Sequence, residues 1–123
     1  MTSNRKRKGD KAEAEIAKYY ESLGGVTVPL SPSYPGTDII WFWHGIVTVA
    51  EVKGRKQSRV EKHEAICKVL GLALKVKLAG GFKAVRSELW EKLDDGHWLL
   101  TNALTNETSD MFTERFNDHQ TLK

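Results

Sequence analysis

This 123-residue chain has one cysteine, three prolines and no long apolar run. Cys67 alone cannot form an internal disulfide or build a cysteine-based zinc site, which fits a reducing, intracellular setting. No stretch approaches the roughly 20 apolar residues that a membrane-spanning helix needs, so no membrane partner is expected. The basic N-terminus has no apolar segment behind it and does not read as a secretory signal. The length suits one domain, large enough to bury a core without disulfides or structural metal.

Net charge is only +3, but it is unevenly spread. Residues 1–86 hold 16 Lys and Arg against 8 Asp and Glu, whereas residues 87–123 hold 3 against 8. A basic body with an acidic tail fits a polyanionic partner for the body, or else a solvated, mixed-charge surface. Residues 1–9, with Arg5-Lys6-Arg7-Lys8-Gly9, read as a flexible basic arm. Asp10 is placed to cap a helix. From Lys11 to Leu23, Ala12, Ile16, Tyr19, Tyr20 and Leu23 recur at helical spacing, and Gly24-Gly25 stops the run. Glu13 shares a stripe with Ile16, Ala17 and Tyr20, an unexpected place for a purely structural acid.

Val26 to Leu30 reads as a short strand, and Ser31 to Gly36 as a loop dense in turn residues. A helix is expected over Arg59 to Ala79, with Ile66, Val69, Leu70, Ala73 and Val76 inward and Gly80-Gly81 as its stop. Its further leucines predict a second partner, either another subunit or the C-terminal segment. Cys67 reads as a small core residue and His63 as a surface residue of this helix. Phe82–Arg86 and His97–Thr101 read as strands, joined through a segment around Leu89-Trp90 and a turn at Asp95-Gly96. Residues 102–123 read as an extension, with a short helix from Ser109 to Phe116. This order predicts an α/β domain over 10–101 around a mixed sheet.

The informative stretch is Thr37 to Lys53. Two β-branched and aromatic runs flank His44-Gly45 and predict a tight hairpin. Counting outward pairs Trp43 with Ile46, Phe42 with Val47 and Asp38 with Glu51. Opposed residues have Cβ atoms about 4.5–5.5 Å apart, so two facing carboxylates repel. Lys53 follows Glu51 on the same face. A divalent cation would relieve the repulsion; a surface cluster screened by Lys53 would do so as well.

The string Asp38 … Glu51-Val52-Lys53 is similar to the signature of the PD-(D/E)xK nuclease superfamily, with Gly36-Thr37 where Pro often precedes the Asp. Lys8-Gly9-Asp10-Lys11-Ala12-Glu13 resembles the opening of archaeal-type Holliday junction resolvases, and the order of elements over residues 5–101 matches. Leu30 stands where a basic residue often precedes the loop serine. The resemblance implies a restriction-endonuclease-like core and Mg²⁺-dependent cutting of four-way DNA junctions to 5′-phosphate ends. It implies catalytic roles for Glu13, Asp38, Glu51, Lys53 and the loop serine Ser31. Asp38, Glu51, the Val52 carbonyl and Glu13 would hold Mg²⁺, or Mn²⁺ in its place. Arg5, Lys6, Arg7, Lys8, Arg55, Lys56 and Arg59 would meet phosphates. A homodimer would bring two sites to two strands, through the broad apolar face of the long helix or through Trp41 and Trp43; core packing is the competing role for the tryptophans. An intracellular, DNA-associated protein is expected. Another small nuclease on the same core, of nicking, repair or restriction type, and a DNA-binding protein without catalysis remain as alternatives.

Overall fold

The computed structural model describes residues 3–29 and 39–111, with side chains over 11–28 and 39–111. The elements are α1 (Ser3–Leu23), β1 (Val26–Pro29), β2 (Ile39–Trp43), β3 (Ile46–Lys53), α2 (Arg59–Ala79), β4 (Ala84–Lys92), β5 (Trp98–Asn102) and β6 (Thr108–Met111). They form an α/β fold around one six-stranded sheet whose strands lie in chain order. Only β3 and β4 are parallel, joined by the crossover through α2. The other neighbours are antiparallel.

The hairpin forms in the expected register, from Trp43↔Ile46 through Phe42↔Val47 to Ile39↔Ala50. His44 and Gly45 have φ of 50° and 79°, the left-handed pair that a two-residue turn needs to match strand twist. Gly25 seals the approach of α1: its φ is +80°, and a Cβ there would stand 2.2 Å from the Phe42 carbonyl oxygen.

Expectation and structure differ at several ends. α1 begins at Ser3 rather than Lys11, so Asp10 is inside the helix and the expected arm is helical from Ser3. Arg and Lys are good helix formers, and one glycine among them costs about 1 kcal/mol. α2 has the expected bounds, and Ser58 starts it with a reciprocal capping box to Glu61. β4 runs from Ala84 to Lys92 and absorbs the segment around Leu89-Trp90. Over 109–111 the expected helix is instead strand β6, paired with β5, so the sheet continues past residue 101. A sheet edge offers hydrogen bonds that local helix preference cannot match. Ser31, Asp38 and the 31–36 loop lie outside the described residues.

The sheet is covered on both faces. Against one face, Ala12, Ile16 and Tyr20 of α1 pack on Ile39, Trp41, Ala50, Val52, Trp90 and Trp98. Against the other, Val69, Leu72 and Ala73 of α2 pack on Val49 and Ala103. Trp41 is thus a core residue, and half-buried Trp43 stacks on it with centroids 5.7 Å apart. Each large aromatic buries about 150–250 Å², so this layer carries much of the hydrophobic stabilisation. Along α2, Ala65, Val69, Leu72 and Ala73 are buried, and the expected Ile66, Leu70 and Val76 pack half-buried against the same cluster. Cys67 is therefore exposed rather than a core residue; Leu74 and Leu78 also face outward, 58% and 86% exposed. No helix among the described residues is long and apolar enough to cross a membrane.

Candidate functional site

Strand alternation assigns the candidate residues to faces. Ala50 and Val52 belong to the layer under α1, and Val49 to the layer under α2. Glu51 and Lys53 therefore share the face under α2, at the C-terminal end of β3. Glu51 is 7% exposed. Lys53 is half-buried, and its ammonium has no ion pair among the described residues.

Glu13 comes from the opposite side. α1 runs antiparallel to β4, as two contacts show: Glu15 meets Lys92 at 3.0 Å, and Tyr20 Oη donates to Glu88 at 2.5 Å. Its N-terminal half thus stands at the sheet end where β3 and β4 finish. Half-buried Glu13 is at the same end as Glu51 and Lys53, on the helix that covers the other face. Among the described residues no three His, Cys, Asp or Glu side chains gather closely enough to hold a metal. The donors on this stretch, the Glu51 carboxylate and the Val52 carbonyl, are the hard oxygen type that suits Mg²⁺. Asp38, one residue beyond the last described pair, would be the next such donor by sequence.

A further acid was missed. Glu91 of β4 is the register partner of Lys53 and is fully buried. Its Oε2 accepts from Gln57 N–H at 2.9 Å. Its Oε1 has no hydrogen bond, but Lys62 Nζ lies 3.2 Å away as an ion pair outside hydrogen-bond angles. Glu91 thereby ties the β3–α2 connection and the first turns of α2 to β4. Alternation would have assigned it to this face had Leu89-Trp90 been read as strand.

The cations expected to meet phosphate are not equivalent. Arg55 makes a two-pronged contact with Glu61, at 2.8 and 3.2 Å. This pair, with the Ser58 cap, holds the Glu61 carboxyl at a pKa of about 2, below its ordinary value. Lys56 and Arg59 have no ion pair among the described residues. Arg5 to Lys8 lie on the first turns of α1, and their side chains lie outside the description.

A second buried polar group lies under α1. Tyr20 Oη donates to Glu88 and accepts from Trp90 Nε1–H at 2.8 Å. Burial raises the Glu88 carboxyl above its ordinary range, against the lowering by Tyr20 and Arg86. Burial, then the Glu88 charge, raises the Tyr20 phenol well above its own. Packed between helix and sheet, this trio stabilises the core rather than offering a reactive group. No protein-family model matches the chain, and no curated protein matches it either.

Proposed function

We propose that the chain is a Mg²⁺-dependent endodeoxyribonuclease with a restriction-endonuclease-like core, selective for four-way DNA junctions. The observation that carries this is the buried Glu51 at the end of β3, on the same face as Lys53, whose ammonium has no ion pair among the described residues. The hairpin keeps the register that leads toward Asp38 up to its last described pair, and α1 brings Glu13 to the same end of the sheet. Asp38, Glu51 and the Val52 carbonyl would hold the cation, with Glu13 joining from α1. When bound, the cation would polarise the phosphate and lower the pKa of the attacking water.

The chain's own groups do the rest. The Lys53 ammonium stabilises the charge that grows on the phosphoryl oxygens, and no ion pair among the described residues competes for it. Ser31 would stand near the scissile phosphate. Lys56 and Arg59, with Arg5 to Lys8, track the backbone, and Arg55 does so only by leaving Glu61. A two-fold dimer would present two such sites to the junction; the outward Leu74 and Leu78 of α2 fit its contact surface.

The test is cleavage of a four-way junction and of a duplex of equal length, with and without Mg²⁺. We expect Mg²⁺-dependent cutting confined to the junction. Equal cutting of both would leave a less selective nuclease on the same core. Binding without cutting at any Mg²⁺ concentration would leave a DNA-binding protein and end the catalytic assignment.

A further inference from the structure

On the face under α2, an open groove of about 590 Å³ runs beside the first two turns of the helix. One wall is Arg59, Val60, Lys62, His63 and Ile66, and the other is Thr101 and Asn106. The far wall is built. Asn102 Oδ1 accepts from the Leu104 and Thr105 N–H groups at 2.9 and 3.3 Å. Asn106, with φ of 64°, donates its N–H to the Asn102 carbonyl at 2.7 Å. Thr101 is 1% exposed, and its hydroxyl has no hydrogen-bond partner in the described protein.

The lining selects the ligand. Lys62 is already tied to Glu91, so Arg59, with no ion pair among the described residues, supplies the available charge, and exposed His63 stands one turn on. Val60 is 67% exposed and Ile66 half-buried, so an apolar wall accompanies the cations. A duplex shows mainly phosphates and sugars at its surface and would leave that wall unused. An unpaired strand offers phosphate and apolar base faces together. The volume falls in the range that encloses a small organic molecule, about one or two nucleotide units.

We propose that this groove binds one unpaired DNA strand, with a phosphate at Arg59 and His63 and a base against Val60 and Ile66. Its direction rests on the nuclease assignment, because the groove opens on the face and at the helix end that Glu51 and Lys53 share. A strand leaving the branch point would be drawn past the candidate catalytic end.

Cys67 supplies the probe. It is the only cysteine, it is exposed, and its Sγ lies 3.6 Å from His63 Nε2. Alkylation of Cys67 by iodoacetamide is timed with and without a short oligothymidine strand, while fluorescence anisotropy follows binding. The strand is expected to slow alkylation several-fold, and a duplex of equal length to do so far less. Arg59→Ala should weaken strand binding by on the order of fivefold and lower the slope of log affinity against log salt by about 0.7. With His63→Ala added, protection should vanish.

Saturated binding with Cys67 still freely alkylated, no strand binding at all, or an unchanged salt slope in Arg59→Ala would each overturn the groove. Junction cleavage on the same preparation separates the two proposals. Protection without cleavage ends the nuclease and keeps the groove; cleavage without protection does the reverse.

Discussion

At the scale of the residue, the core acid Glu88 and the solvent-facing cap acid Glu61 respond differently to change. Tyr20→Phe removes the group that satisfies both Glu88 and Trp90 Nε1–H. A buried donor and acceptor left unpaired cost about 1–3 kcal/mol, so urea unfolding should show a loss of that size. The pH response of Glu88 follows from its raised pKa. Its folded state favours the protonated form, so its stabilisation is complete below the ordinary carboxylate range and is lost as pH rises through the raised value. Glu88→Gln, which still accepts from Tyr20, should remove that loss in unfolding curves taken across this interval. Glu61 acts in the opposite sense. Its pKa is lowered to about 2, so its contribution is present above the ordinary value and fades as pH falls toward 2. Glu61→Gln should flatten that acid limb.

At the scale of the element, α2 has a sound start and a weak middle. Ser58→Ala breaks a reciprocal cap and should cost about 1 kcal/mol. Gly71 lies within this helix, exposed, and an added Cβ would meet nothing within 4 Å. Gly71→Ala should therefore raise stability by up to about 1 kcal/mol, seen as a higher unfolding midpoint. What the sequence revealed follows the same lines. The β2–β3 hairpin and α2 were legible because their signals are local: alternation around His44-Gly45, and helical spacing closed by Gly80-Gly81. β6 and the length of β4 were not, because a strand in those places depends on a neighbour far along the chain. Cys67 was misplaced because α2 is apolar on several sides, and spacing alone did not say which side meets the sheet. Glu51 and Lys53 were legible as a pair sharing a face. Glu91 was not, since its closeness to Lys53 arises from a parallel pairing that no local pattern announces.

At the scale of the whole molecule, the proposed DNA contact by the 16 Lys and Arg of residues 1–86 predicts strong salt dependence. Junction affinity should fall steeply between low and moderate salt, with a slope of about 0.9 per phosphate neutralised on duplex arms; a flat response would exclude backbone tracking. Lys53→Ala should keep that affinity and abolish Mg²⁺-dependent cutting, measured as binding and cleavage on the same junction. A homodimer mass by light scattering is expected, and Leu74→Glu with Leu78→Glu should convert it to monomer, since two carboxylates on the outward face of α2 would sit at the contact.

The parallel pairing of β3 with β4 has one more implication. Among the described residues β1–β3 and β4–β6 are each an antiparallel meander, and their strands pair with one another only along that seam. Lys53 is on one bank and Glu91 on the other. The residues proposed to act in catalysis all precede residue 54, so the later half brings only their support: until the seam closes, Glu91 cannot tie down the connection that follows Lys53 or the start of α2.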